Sequence, residues 1–589
     1  MIYNFIKNVV NSLLGYSKEL LDRQMDQIES CTHGDPHSRQ LKAPVPPTPP
    51  LTPPSHRLSN TDAPLSSMMD QEPPISCGTM PARIGRATLE DIPEELRCHI
   101  LSFLSSTAIL RCALTCRSMY NTVKLSVKLQ YIIELDVQRL IQVHPRPHTV
   151  STAECLRTLR DKANAWNSFE LDVTKATSLR FPHICNSNSI THHQLNLSNW
   201  SIDADAESHA VDINTYTACA GSRWLNLNGP NSGFRALFYM EQSQDLMVMI
   251  QFPIDGRTYD FKYKILFCTI STGEEHPLAH GSRVVAGRPA CGEAQKLDVA
   301  VSVLGNRIVV CLAEHGDSYW SLHVSNWHQG GTSDDVYVTS EGYGLCDIRF
   351  LTKEKLLALS TDGHIHLYDI EDLSKTPRLQ ARFILPVHKD SGTFVLPEVY
   401  HSAQGCARLK SPDDTWIWTT NPADRVISVV WSCPSSIFVI SARVFFMDIP
   451  LAWFDVTSKD GLSVPWSSWG PQNSRCFDGE DVLSFGVGGS RVIRAVPFLD
   501  RNYSTFRLHM TDFNPSAVAR GIGKVVREPT TTALDSDVPI TTYLPFVEAI
   551  HDQCLDASLW SIVLDEERMV ILTKVTAESV SKISLLSSQ

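Results

Sequence analysis

The chain has no CxxC pair among its 16 cysteines, no surplus of positive charge, and no run near the roughly 18 apolar residues that a membrane-spanning helix needs. Each absence removes a class of protein. Without close cysteine pairs there is no zinc-ribbon spacing, and scattered cysteines do not make the dense disulfide framework of a small secreted domain. A net charge of -12 and a pI near 6.0 disfavour nonspecific phosphate binding, so nucleic acid is not an expected partner. The first residues lack a basic region ahead of an uninterrupted apolar stretch, so no signal peptide is read, and a cytoplasmic or nuclear location is expected. No Gly-x-Ser-x-Gly elbow, His-Glu-x-x-His helix or kinase-like set is present, which leaves no nucleophile or metal to build a reaction around. The expectation is a non-enzyme with no cofactor and no metal.

What is present begins with an apolar pattern at helical spacing, Ile2, Ile6, Val9, Val10, Leu13 and Leu14, interrupted by Asn4, Lys7, Asn8 and Asn11. From Cys31 to about Arg86 the chain turns rich in Pro, Ser and Thr, with Ala43 to Pro50 at its centre, and is too poor in bulky apolar groups to offset the entropy of ordering. It is expected to be a disordered spacer. Thr48-Pro49 and Thr52-Pro53 within it fit proline-directed phosphorylation only at the level of dipeptides.

Order is predicted from Leu89, where Pro93 fits a first helical turn and Glu94 and Glu95 sit at the positive end of the dipole. Ile92, Leu96, Ile100, Phe103 and Leu104 recur every three or four residues. After a capping break at Ser105-Ser106-Thr107 the pattern resumes with Ile109, Leu110, Ala113 and Leu114 and runs through Cys116, Met119, Tyr120 and Val123. The four-residue spacing of Cys112 and Cys116 predicts one helix face for both. Two or three helices in so few residues make a small core, so part of this apolar surface should be covered by a partner or a neighbour. Val127 to Val137 alternates apolar residues, which predicts a strand, with helix left open by the Glu and Gln content. Ser151 and Glu154 form a capping box ahead of a helix to Trp166.

Beyond about residue 175, short runs of Val, Ile, Phe and Tyr alternate with Gly, Asn, Asp and Pro, the pattern of many antiparallel strands. The clearest unit runs Cys346 to Leu351, Lys355 to Ser360, a Thr361-Asp362-Gly363 turn, and His364 to Ile370; Asp-Gly between alternating runs is a strong hairpin signal. Similar triplets are Asp245 to Phe252 with Tyr263 to Ile270; Leu297 to Val303, Arg307 to Leu312 and Tyr319 to Ser325; and Val426 to Trp431, Ser436 to Ile440 and Arg443 to Met447. A radial β-propeller, which leaves no long exposed edges, ranks above a sandwich for so many hairpins.

The segment Leu89 to Val123 resembles an F-box, the module that links substrate receptors to the Skp-type adaptor of Skp-cullin-F-box ubiquitin ligases. Ile92-Pro93 stands for the family's Leu-Pro, Glu94 and Glu95 follow, Ile100, Leu104, Leu110 and Leu114 hold the spaced apolar positions, and Cys116-Arg117 matches the common Cys-Arg. Met119 replaces the usual Trp. The remainder looks like the long F-box proteins of fungi, with an Ala165-Trp166 helix leading into a propeller-like region, and Leu367-Tyr368-Asp369 is similar to the end of a WD repeat. The resemblance implies a substrate-recognition adaptor, binding the Skp-type subunit through Ile92, Pro93, Leu96, Ile100, Leu104, Leu110, Leu114, Cys116 and Arg117 and recruiting an unidentified protein substrate through its β domain. The rival reading is an F-box-bearing scaffold that delivers no substrate for ubiquitination.

The expected fold class is multidomain α plus β, a small all-α F-box followed by a large all-β, propeller-like domain. The map is 1–30, a short amphipathic N-terminal helix; 31–86, a disordered linker; 87–126, the F-box; 127–175, a linker with a helix; and 176–589, the recognition domain. His364, His366 and the His192-His193 pair lack further ligands at a recognisable metal spacing. Gly486 to Ser490 reads as a β-turn, because a strand and not a helix follows it. Trp431, Trp466 and Trp469 could anchor a ligand, although in a β domain large rings are more often core.

Overall fold

The computed structural model describes residues 92–142, 150–169 and 172–180, and most of the strands and turns between residues 199 and 587. The N-terminal helix expected over 1–30, the linker expected over 31–86 and the His192-His193 pair lie outside the described residues. The chain divides into two compact units, one ending at Leu129 and the other running from Gln130.

In the first unit, α1 (Glu94–Leu101), α2 (Ser106–Ala113) and α3 (Arg117–Leu125) are each started by a residue that fits a cap. Ser105 accepts a hydrogen bond from the Ala108 N–H at 3.3 Å, satisfying one of the free donors at the start of α2. Pro93 is the cap itself, one position ahead of the first-turn place expected for it, and its carbonyl accepts from the Arg97 N–H. Cys116 caps α3, its Sγ accepting from the Met119 N–H. Cys112 and Cys116 therefore do not share a helix face: Leu114 and Thr115 break the helix between them.

The expected strand at Val127 to Val137 is a helix, α4 (Val127–Val137). Apolar residues at every second position also recur at every fourth, and Leu129 and Ile133 are both buried, while Tyr131 and Leu135 face a separate cluster. A helix apolar on several faces and a strand thus share this pattern. The next helix, α5 (Thr152–Ser168), has the expected cap, with Ser151 accepting from the Glu154 N–H at 3.1 Å. Its Cys155 and Leu159 pack with Tyr131, Leu135, Leu140 and Trp418, and the Trp418 indole N–H donates to the Tyr131 hydroxyl at 2.6 Å.

Among the described residues, six sheets contain four or more strands. They follow chain order. Sheet 1 holds Asn199–Ile202, Phe234–Glu241, Leu246–Pro253, Lys262–Thr269 and Arg283–Ala286; sheet 2 holds Leu297–Leu304, Arg307–Glu314, Tyr319–Asn326 and Tyr337–Glu341. Sheet 3 is Leu345–Phe350, Lys355–Ser360, His364–Asp369 and Arg378–Ile384, with Ser463–Val464 added in parallel; sheet 4 is Gly392–Val395, Val426–Ser432, Ser435–Ser441 and Ser474–Asp478. Sheet 5 is built on Ser484–Gly488, Arg491–Pro497, Thr505–Asp512 and Phe546–Ile550, with Lys524–Val526 at its edge. Sheet 6 joins Leu559–Leu564, Arg568–Val575 and Val580–Ser587 to Asp172–Arg180, the first strand in chain order among these six sheets.

The alternation of side chains along each strand makes these sheets stack. Ile308, Val310 and Leu312 share a core with Val248, Ile250, Tyr263 and Ile265 of sheet 1. Val309, Cys311 and Ala313, on the opposite face of that strand, share another with Ile348, Phe350 and Leu356 of sheet 3. The relation repeats: Leu357, Ile365 and Leu367 meet Val429, Trp431 and Phe438; Val430 and Val439 meet Phe485, Val487 and Val492; Ile493, Leu508 and Met510 meet Ile562, Met569 and Ile571. Face-to-face sheets in sequence order, with the first strand completing the last sheet, are a β-propeller arrangement. The Asp-Gly hairpin lies where the sequence placed it, with Gly363 at φ 77°, a left-handed conformation that suits glycine.

A second expected strand is absent. Arg443 to Met447 does not follow Ser435–Ser441 as a third strand; Ala442–Phe445 is a short 3-10 helix and Ser474–Asp478 takes the vacant edge. Ala442, Val444 and the adjacent Phe445 are all fully buried, a pattern that a one-sided strand does not give.

His323 lies buried in sheet 2, edge-on to Tyr263 at 5.8 Å, and burial pushes its imidazole down to about 4. Its folded value lies below the ordinary one, so the unfolded chain takes up the proton first. Stability is therefore full above pH 6.5 and falls as the pH drops from 6.5 towards 4, by up to about 3 kcal/mol. Urea titrations across that window should give a steeper acid-side decline for the parent than for His323→Leu; parallel curves would show that His323 does not carry the effect.

Candidate functional site

The three-helix unit sorts its apolar residues into two sets. Leu101, Ile109, Ala113, Met119 and Val123 are nearly or wholly inaccessible and form its interior. The Arg97 guanidinium donates to the Ser118 hydroxyl, tying α1 to α3, and the Lys128 ammonium donates to Ser102 Oγ at 3.0 Å. The second set stays in water: Leu96 is 53% exposed, Ile100 44%, Phe103 76%, Leu104 37% and Leu114 46%. Folded chains of this size rarely leave that many bulky apolar groups exposed within some twenty residues unless another surface covers them.

The nine residues singled out from the sequence fall on both sides of this division. Leu96, Ile100, Leu104 and Leu114 belong to the exposed set, and Pro93 and Arg117 are exposed at the helix starts. Ile92, Leu110 and Cys116 are half-buried, so they support the unit as much as they face outward. Phe103 was absent from the nine, although it is the most exposed of the five bulky apolar groups from Leu96 to Leu114. Its ring meets His99 edge-on at 4.9 Å. The signal for it was already in the chain, a large ring three residues after Ile100 on the same stripe. Leu125 and Val127 were also missed; they are exposed at the junction of α3 and α4.

Residues 89–125 match the F-box-like family model. That stretch is an F-box-like domain. In it the usual family tryptophan position holds Met119, 3% exposed, so the substitution lies in the interior and not on the outward surface. The F-box-like match implies a ubiquitin-ligase adaptor role. An F-box is typically an interaction module.

No curated protein matches the chain. Among solved structures, the β-propeller domain of Cps50 (Swd1) from Myceliophteria thermophila aligns with 61% of this chain and 98% of its own at 12% identity, with a TM-score of 0.24. The WD40 β-propeller domain of Doa1 aligns with 61% of this chain and 87% of its own at 10% identity, with a TM-score of 0.26. The propeller assignment rests on the stacking and end-to-end pairing of the sheets themselves.

The other sites considered resolve into structure. His364 Nδ1 lies 3.0 Å from the Asp362 carboxylate, and Ser360 donates to the same carboxylate. Burial pushes Asp362 up, yet these hydrogen bonds and the neighbouring imidazoles outweigh it and hold the carboxyl below its usual range. The pairing fixes the hairpin turn. No group of three or more His, Cys, Asp or Glu residues suited to a metal ion occurs among the described residues. Trp431 and Trp469 are fully buried between sheets 3 and 4, with Trp466 against them, so these rings are core and present no ligand platform. Among the described residues, no helix is long and apolar enough to cross a membrane.

Proposed function

We propose that this protein is a substrate receptor: its F-box-like helices bind the Skp-type subunit of a cullin ubiquitin ligase, and its β unit holds a protein substrate. The observation that carries the reading is the exposed stripe Leu96, Ile100, Phe103, Leu104 and Leu114, held on helices whose interior is already filled by other residues. An apolar helical surface of this kind gains most by inserting into a concave partner, with the polar rim setting orientation. The contribution to ubiquitin transfer is proximity, since a bound substrate lysine near a charged carrier reacts at a raised effective concentration. Action as a part of such a ligase places the protein in the cytoplasm or nucleus.

The test is a reconstituted ligase containing adaptor, cullin and this chain, assayed on proteins that copurify with the intact chain and not with one lacking residues 172–589. Ubiquitin on at least one of them, dependent on this chain, is the expected result. Adaptor binding with no chain-dependent transfer to any copurifying protein would make the molecule a scaffold.

A further inference from the structure

In sheet 3 the strands His364–Asp369 and Arg378–Ile384 are joined by a loop from Ile370 to Pro377 whose first part is held in place. The Arg307 guanidinium of sheet 2 donates to the Ile370 and Glu371 carbonyls, and the Glu371 N–H donates to the Asp369 carboxylate at 3.1 Å. Asp372 then closes a turn: its carboxylate accepts from the Ser374 N–H at 3.0 Å and hydroxyl at 2.6 Å, and its carbonyl accepts from the Lys375 N–H. The chain leaves this turn at Thr376-Pro377.

Thr376 is exposed, lies between the turn and the strand, and among the described residues its hydroxyl makes no hydrogen bond. Its backbone is biased too. The Pro377 ring crowds a helical conformation at the residue before it, which favours an extended Thr376, and Pro377 has no N–H with which to close a further turn. From Arg378 the chain runs along the rim of sheet 3, paired on one side with His364–Asp369 and on the other only at Arg382 and Phe383, with Ser463–Val464. An extended segment with one open backbone side and a fixed proline ring is the form that peptide grooves take up at low entropic cost. The other Ser-Pro and Thr-Pro pairs, at Thr48, Thr52 and Ser411, lie outside the described residues.

We propose that Thr376 is a phosphorylation site for a proline-directed protein kinase. In the transfer the bond from the γ-phosphorus of a nucleoside triphosphate to the diphosphate breaks, a bond to Thr376 Oγ1 forms, and the hydroxyl proton passes to the kinase's own base. The product carries a charge of about -2 at pH 7. The loop and its strand ends now hold charges that nearly balance, with Lys375 paired to Asp372 at 2.8 Å, Arg378 paired to Asp369 at 2.9 Å, and Glu371 beside them. Phosphorylation makes this end of sheet 3 distinctly anionic, and so changes which partner surfaces it attracts. The site does not depend on the ligase reading.

The test uses the full chain carrying Thr48→Ala, Thr52→Ala and Ser411→Ala, so that Thr376 is its one remaining Ser-Pro or Thr-Pro acceptor. The native protein is incubated with a purified proline-directed kinase and γ-labelled ATP, and the labelled residue is located by peptide mass spectrometry. Label should enter at Thr376, and Thr376→Ala should abolish it with unchanged melting. Thr376→Ser, which keeps a hydroxyl at the same place, should retain it, and Pro377→Ala should lose it because the proline that sets the backbone and fills the groove is gone. Label that enters only after the protein is heat-denatured would show that the folded loop does not present the site. That result, no label in either state, or label undiminished by Thr376→Ala or Pro377→Ala, would overturn the assignment.

Discussion

Leu96→Asp and Leu114→Asp are each expected to abolish capture of the Skp-type adaptor while leaving the helices folded. Both side chains are about half exposed, so a carboxylate at either position stays hydrated in the free protein and should shift its stability by no more than about 0.5 kcal/mol. In the complex the same carboxylate would be dehydrated against an apolar surface, and burying an unpaired charge costs several kcal/mol. A loss of about 3 kcal/mol is a weakening of roughly a hundredfold, enough to empty a pull-down performed at micromolar protein. Phe103→Ala is expected to weaken capture by a smaller factor, because truncation removes contact area without adding a charge. Helicity measured by circular dichroism separates this outcome from unfolding, and Ile109→Asp, at a wholly buried position, provides the unfolding reference. Undiminished capture by Leu96→Asp and Leu114→Asp would place the adaptor elsewhere; loss of capture together with loss of helicity would assign the stripe to the core.

The contrast between Leu96 and Ile109 shows how far the sequence could be read. Spacing places both on apolar stripes, and the capping residues Pro93, Ser105 and Cys116 fix where each helix starts. What spacing cannot assign is which stripe turns inward, because that depends on three helices packing at once. Val127 to Val137 exposes another limit: apolar groups at every second position satisfy a strand and a helix buried on several faces equally, and packing decides between them. Arg443 to Met447 reads as a strand by composition alone, whereas Val444 and Phe445 are consecutive buried residues of a turn. The hairpin at Asp362-Gly363 and the strands from Leu297 to Asn326 were legible because their signals are local. The pairing of Asp172–Arg180 with Val580–Ser587 was not, since it joins segments about 400 residues apart and no local pattern specifies a distant partner.

That distant pairing predicts a second large effect, on the stability of the β unit. Val580–Ser587 is an inner strand of sheet 6, paired antiparallel with Asp172–Arg180 on one side and with Arg568–Val575 on the other. A chain truncated after Val575 would leave both neighbours with a row of unmet N–H and C=O groups. Asp172–Arg180 would lose its partner in the sheet, and sheet 6, which shares Met569 and Ile571 with the core of sheet 5, would lose half of its order. Bringing ends about 400 residues apart into register costs on the order of 5 kcal/mol of loop-closure entropy, so the ladder must outweigh at least that much in the intact chain. Truncation removes that ladder together with the closure cost it offsets, so the unfolding free energy of the β unit should fall by the surplus, on the order of a few kcal/mol, and the bared edges should aggregate. Hydrogen exchange offers the sharper reading: amides of Asp172–Arg180 protected in the intact chain should exchange at the rate of unstructured peptide in the truncated one. Retained protection there would mean that another element holds the first strand, and that the pairing between the two ends of the β unit does not govern its stability.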